Sequence, residues 1–155
     1  MFNNVLMVCV GNICRSPMAE YLLKDTLPEL NVFSAGLSAV VGKTAEKTAM
    51  RLMQEKEIDM SDHCAQQLNT LLLSRADLVL VMEQAHLNTI HHNYPAARGK
   101  VFLLGKWINN KQIVDPYQKG EQAFQDSLHA IEASISGWQN KIWRTTRVKQ
   151  RYAYS

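Results

Sequence analysis

Val5-Leu6-Met7-Val8-Cys9-Val10-Gly11-Asn12-Ile13-Cys14-Arg15-Ser16-Pro17-Met18 is the stretch on which the reading of this chain turns. Its opening third is a short, valine-rich apolar run of the kind that forms a buried strand. Ser16 followed by Pro17 predicts a helix start, an N-cap side chain with proline in the first turn. Between strand and helix lies a tight loop with Cys9 at its entrance, Arg15 at its exit and five residues between them. A strand that turns sharply into a helix gathers backbone N–H groups into a cup that favours anions. A thiol on the floor of such a cup is held in its nucleophilic, thiolate form. Gly11 allows backbone angles closed to other residues, and Asn12 tolerates the left-handed conformation. Arg15 offers a planar fork able to grip two phosphoryl oxygens, which lysine lacks. The stretch therefore predicts a cysteine that attacks a bound phosphate, ringed by Val10, Gly11, Asn12, Ile13, Cys14, Arg15 and Ser16.

Outward from this loop, strands and helices alternate. A short helix is expected over Pro17–Leu27, ending before Pro28. A second strand spans Leu30–Ala35 and closes at Gly36, and a second helix covers Lys43–Glu57. Ile58–Gln67 reads as a turn feeding a short helix through Leu72. The strongest strand is Ala76–Met82, near-continuous in branched apolar residues as parallel central strands are. A helix over Glu83–His92 stops at Tyr94-Pro95, and a fourth strand runs over Lys100–Leu104. Phe124–Trp143 repeats apolar residues every three or four positions and predicts a long amphipathic closing helix. The expected fold is α/β: a three-layer, four-stranded parallel sheet with helices on both faces and the phosphate loop between strand 1 and helix 1. Ligands bind such sheets beyond the carboxyl ends of the strands, where strand order reverses.

With 155 residues the chain fits one domain able to bury a core without staples. The boundaries expected are 1–143 for that domain and 144–155 for a flexible tail carrying Arg144, Arg147, Lys149 and Arg151. A formal net charge of +3 is too small to argue for nucleic acid. No run approaches the roughly eighteen apolar residues that a membrane span needs, and the first apolar run lacks the basic lead-in of a signal peptide. Three cysteines make no disulfide framework, so a reducing cytoplasm is expected.

A second glycine-rich stretch, Gly36-Leu37-Ser38-Ala39-Val40-Val41-Gly42-Lys43-Thr44, ends like a nucleotide-binding loop. That loop requires four residues between its glycines and here there are five, so its amides cannot converge on one phosphate chain. Asp115-Pro116-Tyr117 carries more weight. Transfer from a tyrosine needs an acid, because a phenolate leaves poorly unless protonated. A loop aspartate aimed by proline and flanked by Ile113 and Val114 fits that need, its apolar neighbours helping to keep the proton on. His86, His91 and His92 lack the spacing that puts ligands on one helix face, and read as a solvated surface rather than a metal site.

The motifs Val8 to Pro17, Ser34-Ala35-Gly36 and Asp115-Pro116-Tyr117 resemble those of the low-molecular-weight protein tyrosine phosphatases. Leu37–Lys43, His63-Cys64-Ala65, Met82-Glu83 and Arg98-Gly99-Lys100-Val101 follow in the expected order, and the bacterial branch acting with capsule and exopolysaccharide systems is the nearest in kind. The resemblance implies that Cys9 is the nucleophile, Arg15 holds the phosphate, and Asp115 protonates the leaving phenol and then activates water. It implies a supporting hydrogen-bond network through Asn12, Ser16, Ser34 and His63, and a reversible Cys9–Cys14 disulfide under oxidant. Animal members wall the pocket with a tryptophan; here Ile13, Leu37, Val40 and Tyr117 are expected to do so. A relative acting on phosphoarginine carries threonine where this chain has Ile13, which favours an aromatic phosphate. Arsenate reductases of this fold use two further downstream cysteines, and this chain has only Cys64. The mechanism calls for no cofactor and no metal. The partner implied is a phosphotyrosine protein, a membrane tyrosine autokinase with a tyrosine-rich cytoplasmic tail, met by a cytoplasmic, monomeric enzyme that binds no nucleic acid. Tyr152 and Tyr154 are candidate phosphorylation sites in their turn.

Overall fold

Alternation of side chains along β1 (Asn4–Cys9) divides the interior into two apolar layers. Val5, Met7 and Cys9 face one, and Leu6 and Val8 face the other. A strand buried on both sides belongs at the middle of a parallel sheet. In the computed structural model, which describes residues 2–143, β2 (Asn31–Gly36), β3 (Leu78–Val81) and β4 (Val101–Leu103) complete a four-stranded sheet. All pairings are parallel and the order is β2-β1-β3-β4. Helices α1 (Arg15–Thr26) and α2 (Lys47–Gln54) contribute to the layer that contains Cys9. Helices α3 (Thr70–Arg75) and α4 (Gln84–Asn93) cover the opposite face. Helix α5 (Glu121–Trp138) closes the first layer with Phe124, Leu128, Ile131, Ile135 and Trp138. This is the expected three-layer α/β architecture. Because β1 has β2 on one side and β3 on the other, the loop leaving its carboxyl end sits where strand order reverses.

Several boundaries move, each for a local reason. Helix α1 begins at Arg15, with Cys14 as N-cap and no side-chain cap. Ser16, expected to cap it, lies inside the first turn because its hydroxyl is engaged by Cys9 and Asn12 instead. Helix α2 starts at Lys47 rather than Lys43, since the preceding segment stays extended to meet the phosphate loop: Glu46 N–H donates to the Ile13 carbonyl at 2.8 Å. The Glu46 carboxylate then caps α2 by accepting from Thr48 and Ala49 N–H. The short helix expected to end at Leu72 instead begins at Thr70, capped by Asn69, and continues to Arg75. Gly120, at φ 91°, starts α5 three residues earlier than Phe124. Past Trp138 the helix loosens into a π-helical turn over Gln139–Trp143. The tail over 144–155, with Tyr152 and Tyr154, lies outside the described residues.

The amino end of the sheet is tied down by Asp77, whose Oδ2 accepts from Asn3 N–H, Asn4 N–H and the Asn4 side-chain amide. Among the described residues, no helix is long and apolar enough to cross a membrane.

Candidate active site

The phosphate loop is cast by a buried polar network. Asn12 sits at φ 60°, the left-handed conformation that a turn this sharp requires. Its side-chain NH2 donates to Ser16 Oγ at 2.8 Å and to Ser34 Oγ at 2.9 Å, while its Oδ1 accepts from Gln66 N–H at 2.9 Å. Ser34, on β2, donates a hydrogen bond from its hydroxyl to Glu20 Oε1 at 2.5 Å. With Ser16 Oγ already accepting from Asn12, its proton is free to point at Cys9 Sγ, 2.9 Å away. That direction is the one a nucleophilic thiolate requires. His63 is buried and meets the Asn12 carbonyl through Nε2 at 2.7 Å. A donor at that nitrogen fixes the tautomer. All four residues expected in the network are in it, and two more, Glu20 and Gln66, extend it.

Arg15 is 2% exposed, an unusual burial for a guanidinium. Its Nη1 donates to Glu83 Oε2 at 2.5 Å and to the Ile113 carbonyl at 2.8 Å. Nη2 lies 3.8 Å from Asp115 Oδ2, so the outer edge of the fork faces the acid loop. Glu83 is held in turn by His86: Glu83 N–H donates to His86 Nδ1 at 3.2 Å, and His86 Nε2 lies 3.3 Å from Glu83 Oε2. His86, expected on a solvated surface, is therefore buried behind Arg15. Burial, followed by the Arg15 charge, holds its pKa below the usual 6.5, while Glu83 and Asp115 oppose that shift. The sequence presents Met82-Glu83 only as a motif in order and His86 as a surface histidine; their role behind Arg15 is missed there, Glu83 lying 68 positions from Arg15. The available signal was Met82-Glu83 at the carboxyl end of the strongest strand, beside the end of the Cys9 strand.

Cys9, Val10, Gly11, Ile13, Cys14, Arg15, Asp115 and Tyr117 line one cleft of about 570 Å³. Asn12 and Ser16 are fully buried and support the loop from behind. Val40 lines the cleft, but Leu37 does not: one residue past the end of β2 it turns to the opposite face and packs against the α3–α4 layer. Ser38 takes its place on the wall. Asp115 differs from expectation in its surroundings. Val114 is 65% exposed and faces away, and Asp115 itself is partly solvated, its Oδ1 accepting from Tyr117 N–H at 3.1 Å. Cys14 is buried, and burial first, then the Cys9, Glu46 and Asp115 charges, pushes its thiol well up, with Arg15 opposing. Cys64 lies exposed and apart. Among the described residues no group of three or more His, Cys, Asp or Glu side chains is placed to hold a metal ion.

A nucleophile, a fixed guanidinium and a partly solvated carboxyl around one anion cup make an arrangement suited to two-step phosphoryl transfer. The family of low molecular weight phosphotyrosine protein phosphatases matches residues 4–149. The low molecular weight protein-tyrosine-phosphatase Ptp of Acinetobacter johnsonii is 46% identical over 91% of this chain and 99% of its own. The structure of Vibrio vulnificus Wzb in complex with benzylphosphonate superposes with a TM-score of 0.89 at 40% identity, covering 92% of this chain and all (100%) of the other. The YwlE arginine phosphatase of Geobacillus stearothermophilus is more distant in sequence, 32% identical with a TM-score of 0.86 over 94% of this chain and 96% of its own. With the family matched over nearly the whole chain, this protein is a member of the low molecular weight phosphotyrosine protein phosphatases.

Proposed function

We propose that this enzyme hydrolyses phosphotyrosine in proteins through a phosphocysteine on Cys9. The observation that carries the reading is the convergence of Cys9, Arg15 and Asp115 on one cleft, with Asp115 3.8 Å from the guanidinium. In the first step the Cys9 thiolate attacks phosphorus and the bond to the phenolic oxygen breaks. Protonated Asp115 gives its proton to that oxygen, so tyrosine leaves neutral. In the second step the Asp115 carboxylate takes a proton from water as the water oxygen attacks phosphorus. The sulfur leaves as thiolate, and inorganic phosphate is released. Arg15 and the loop amides hold the same three phosphoryl oxygens throughout.

Ile13 on the cleft wall supports an aromatic substrate, with Val40 and Tyr117 as further wall residues. The likeness to an arginine phosphatase makes phosphoarginine the second reading. Phosphotyrosine and phosphoarginine peptides offered side by side separate the two, and preference for phosphotyrosine is the expected result. Cys9→Ser abolishes hydrolysis of an aryl phosphate; retained turnover in that variant overturns the assignment. By the resemblance to capsule and exopolysaccharide phosphatases, the physiological partner is the tyrosine-rich tail of a membrane autokinase, met in the cytoplasm by a monomer. Under mild peroxide a Cys9–Cys14 disulfide protects the nucleophile, and mass spectrometry that finds sulfinic acid at Cys9 instead contradicts this.

A further inference from the structure

The Gly42-Lys43-Thr44 stretch, which fails as a nucleotide loop on spacing, lies beside the cleft, with Lys43 and Thr44 on its wall. It is fastened to the phosphate loop: Val40 N–H donates to the Gly11 carbonyl at 3.0 Å, and Glu46 N–H to the Ile13 carbonyl at 2.8 Å. From behind, Gly42 N–H donates to Ala65 and Ala65 N–H to Lys43. Two cations, Lys43 and Lys47, line the cleft on this wall, and both are exposed. Neither makes an ion pair or a side-chain hydrogen bond among the described residues. Glu46 lies between them on the same wall, its carboxylate turned to the first amides of α2, so the wall carries two cations to one anion. Lys47 is the first residue of α2, and no acidic residue occupies that first turn. A cation there opposes the positive end of the helix dipole, and it lies four residues from a second cation. Nothing in the packing requires either charge, and the phosphoryl group itself has Arg15 and the loop amides. Outside them stand Val40 and the 68%-exposed Val41, apolar surface that a peptide can cover.

We propose that Lys43 and Lys47 form an anion subsite beside the catalytic cup, which selects phosphotyrosines flanked by an acidic group. This rests on the phosphotyrosine reading and narrows its substrate class. The chemistry recognised is a carboxylate or a second phosphate one or two residues from the reacting tyrosine, set against a wall where two lysines outnumber the single carboxylate of Glu46. Exposed pairs of this kind contribute modestly each, and a phosphate dianion gains more than a carboxylate.

The test compares kcat/KM of the full chain on three phosphotyrosine peptides of equal length. One has neutral neighbours, one has glutamates, and one has a second phosphotyrosine. The acidic peptides are expected to be roughly three- to thirty-fold better than the neutral one, an advantage that shrinks as salt is raised. In the Lys43→Gln/Lys47→Gln double variant that ratio falls toward one, and in Lys43→Glu/Lys47→Glu it inverts. An advantage confined to the doubly phosphorylated peptide identifies phosphate as the anion; one shared with the glutamate peptide identifies charge alone. Equal rates on all three in the wild type, or an advantage that survives both variants, overturn the subsite and leave the phosphotyrosine reading intact. A wild type that hydrolyses none of the three overturns that reading itself and the subsite with it.

Discussion

The phosphate loop over residues 9–15 and the acid loop over residues 115–117 face each other across one cleft, yet they are held differently. Asn12 at the heart of the first is fully buried, and its side chain makes three hydrogen bonds, to Ser16, Ser34 and Gln66. Arg15 is pinned by Glu83 and the Ile113 carbonyl. Asp115, by contrast, keeps 45% of its side chain in solvent and is oriented by one local bond from Tyr117 N–H and a 3.8 Å ion pair with Arg15. The contrast follows the chemistry. The phosphoryl group stays in one place through both steps, so its cradle gains from being rigid. The acid has to give a proton and then recover one from water, so it gains from being wet and adjustable.

If rigidity of the guanidinium is what matters, Arg15→Lys keeps the charge, loses the fork, and lowers kcat/KM by roughly a hundred- to a thousand-fold. A tenfold loss or less on an aryl phosphate would mean that a point charge suffices. A smaller effect is expected when the cradle's support is removed. Asn12→Ala loses the network and strains a left-handed residue, which lowers stability by about 2–3 kcal/mol in urea unfolding. Asn12→Gly relieves the strain alone, so it recovers about 1 kcal/mol of stability but not the turnover. Full recovery of both in the glycine variant would reduce Asn12 to a backbone role.

A pH dependence tests the anchoring of Arg15 from behind. His86 is held neutral in the fold below its usual 6.5 by burial and Arg15. As pH falls below that value the unfolded chain takes up the proton first. The stability that neutral His86 carries is therefore whole above about 6.5 and lost as pH drops toward its depressed folded value, with a slope of at most about 1.4 kcal/mol per pH unit. His86→Gln flattens melting temperature against pH over that window; an unchanged slope removes His86 from the account. The smallest effect is at the adjustable side, where Tyr117→Ala costs about 1 kcal/mol of transition-state binding on aryl phosphates, read as kcat/KM.

How far the sequence could be read follows the same division. Cys9, Arg15 and the turn between them are encoded within seven consecutive residues, so spacing alone carries their geometry. The sheet was legible because β1 and β3 are apolar on both faces, a pattern that only a central parallel strand tolerates. Side-chain direction after a strand ends was not legible: Leu37 lies one residue beyond β2 and turns to the wrong face for the wall assigned to it. Long-range partners were invisible for a different reason. Glu20 lies one helical turn past Ser16, and its partner in the network, Ser34, comes from β2. Glu83 and His86 matter only because strand order sets β3 beside β1. Asp115 was legible by its proline and its place after the last strand, whereas the apolar shelter expected of Val114 is turned outward.

Division of labour between the two loops is tested most directly by varying the leaving group. Across a series of aryl phosphates whose phenols span several pKa units, wild-type kcat/KM is expected to change little, because Asp115 protonates each phenol as it departs. In Asp115→Asn it falls steeply as the phenol becomes less acidic, reaching roughly a hundred-fold or more below wild type for poor leaving groups. Wild type and variant falling along parallel lines would contradict the assignment of Asp115 as the acid.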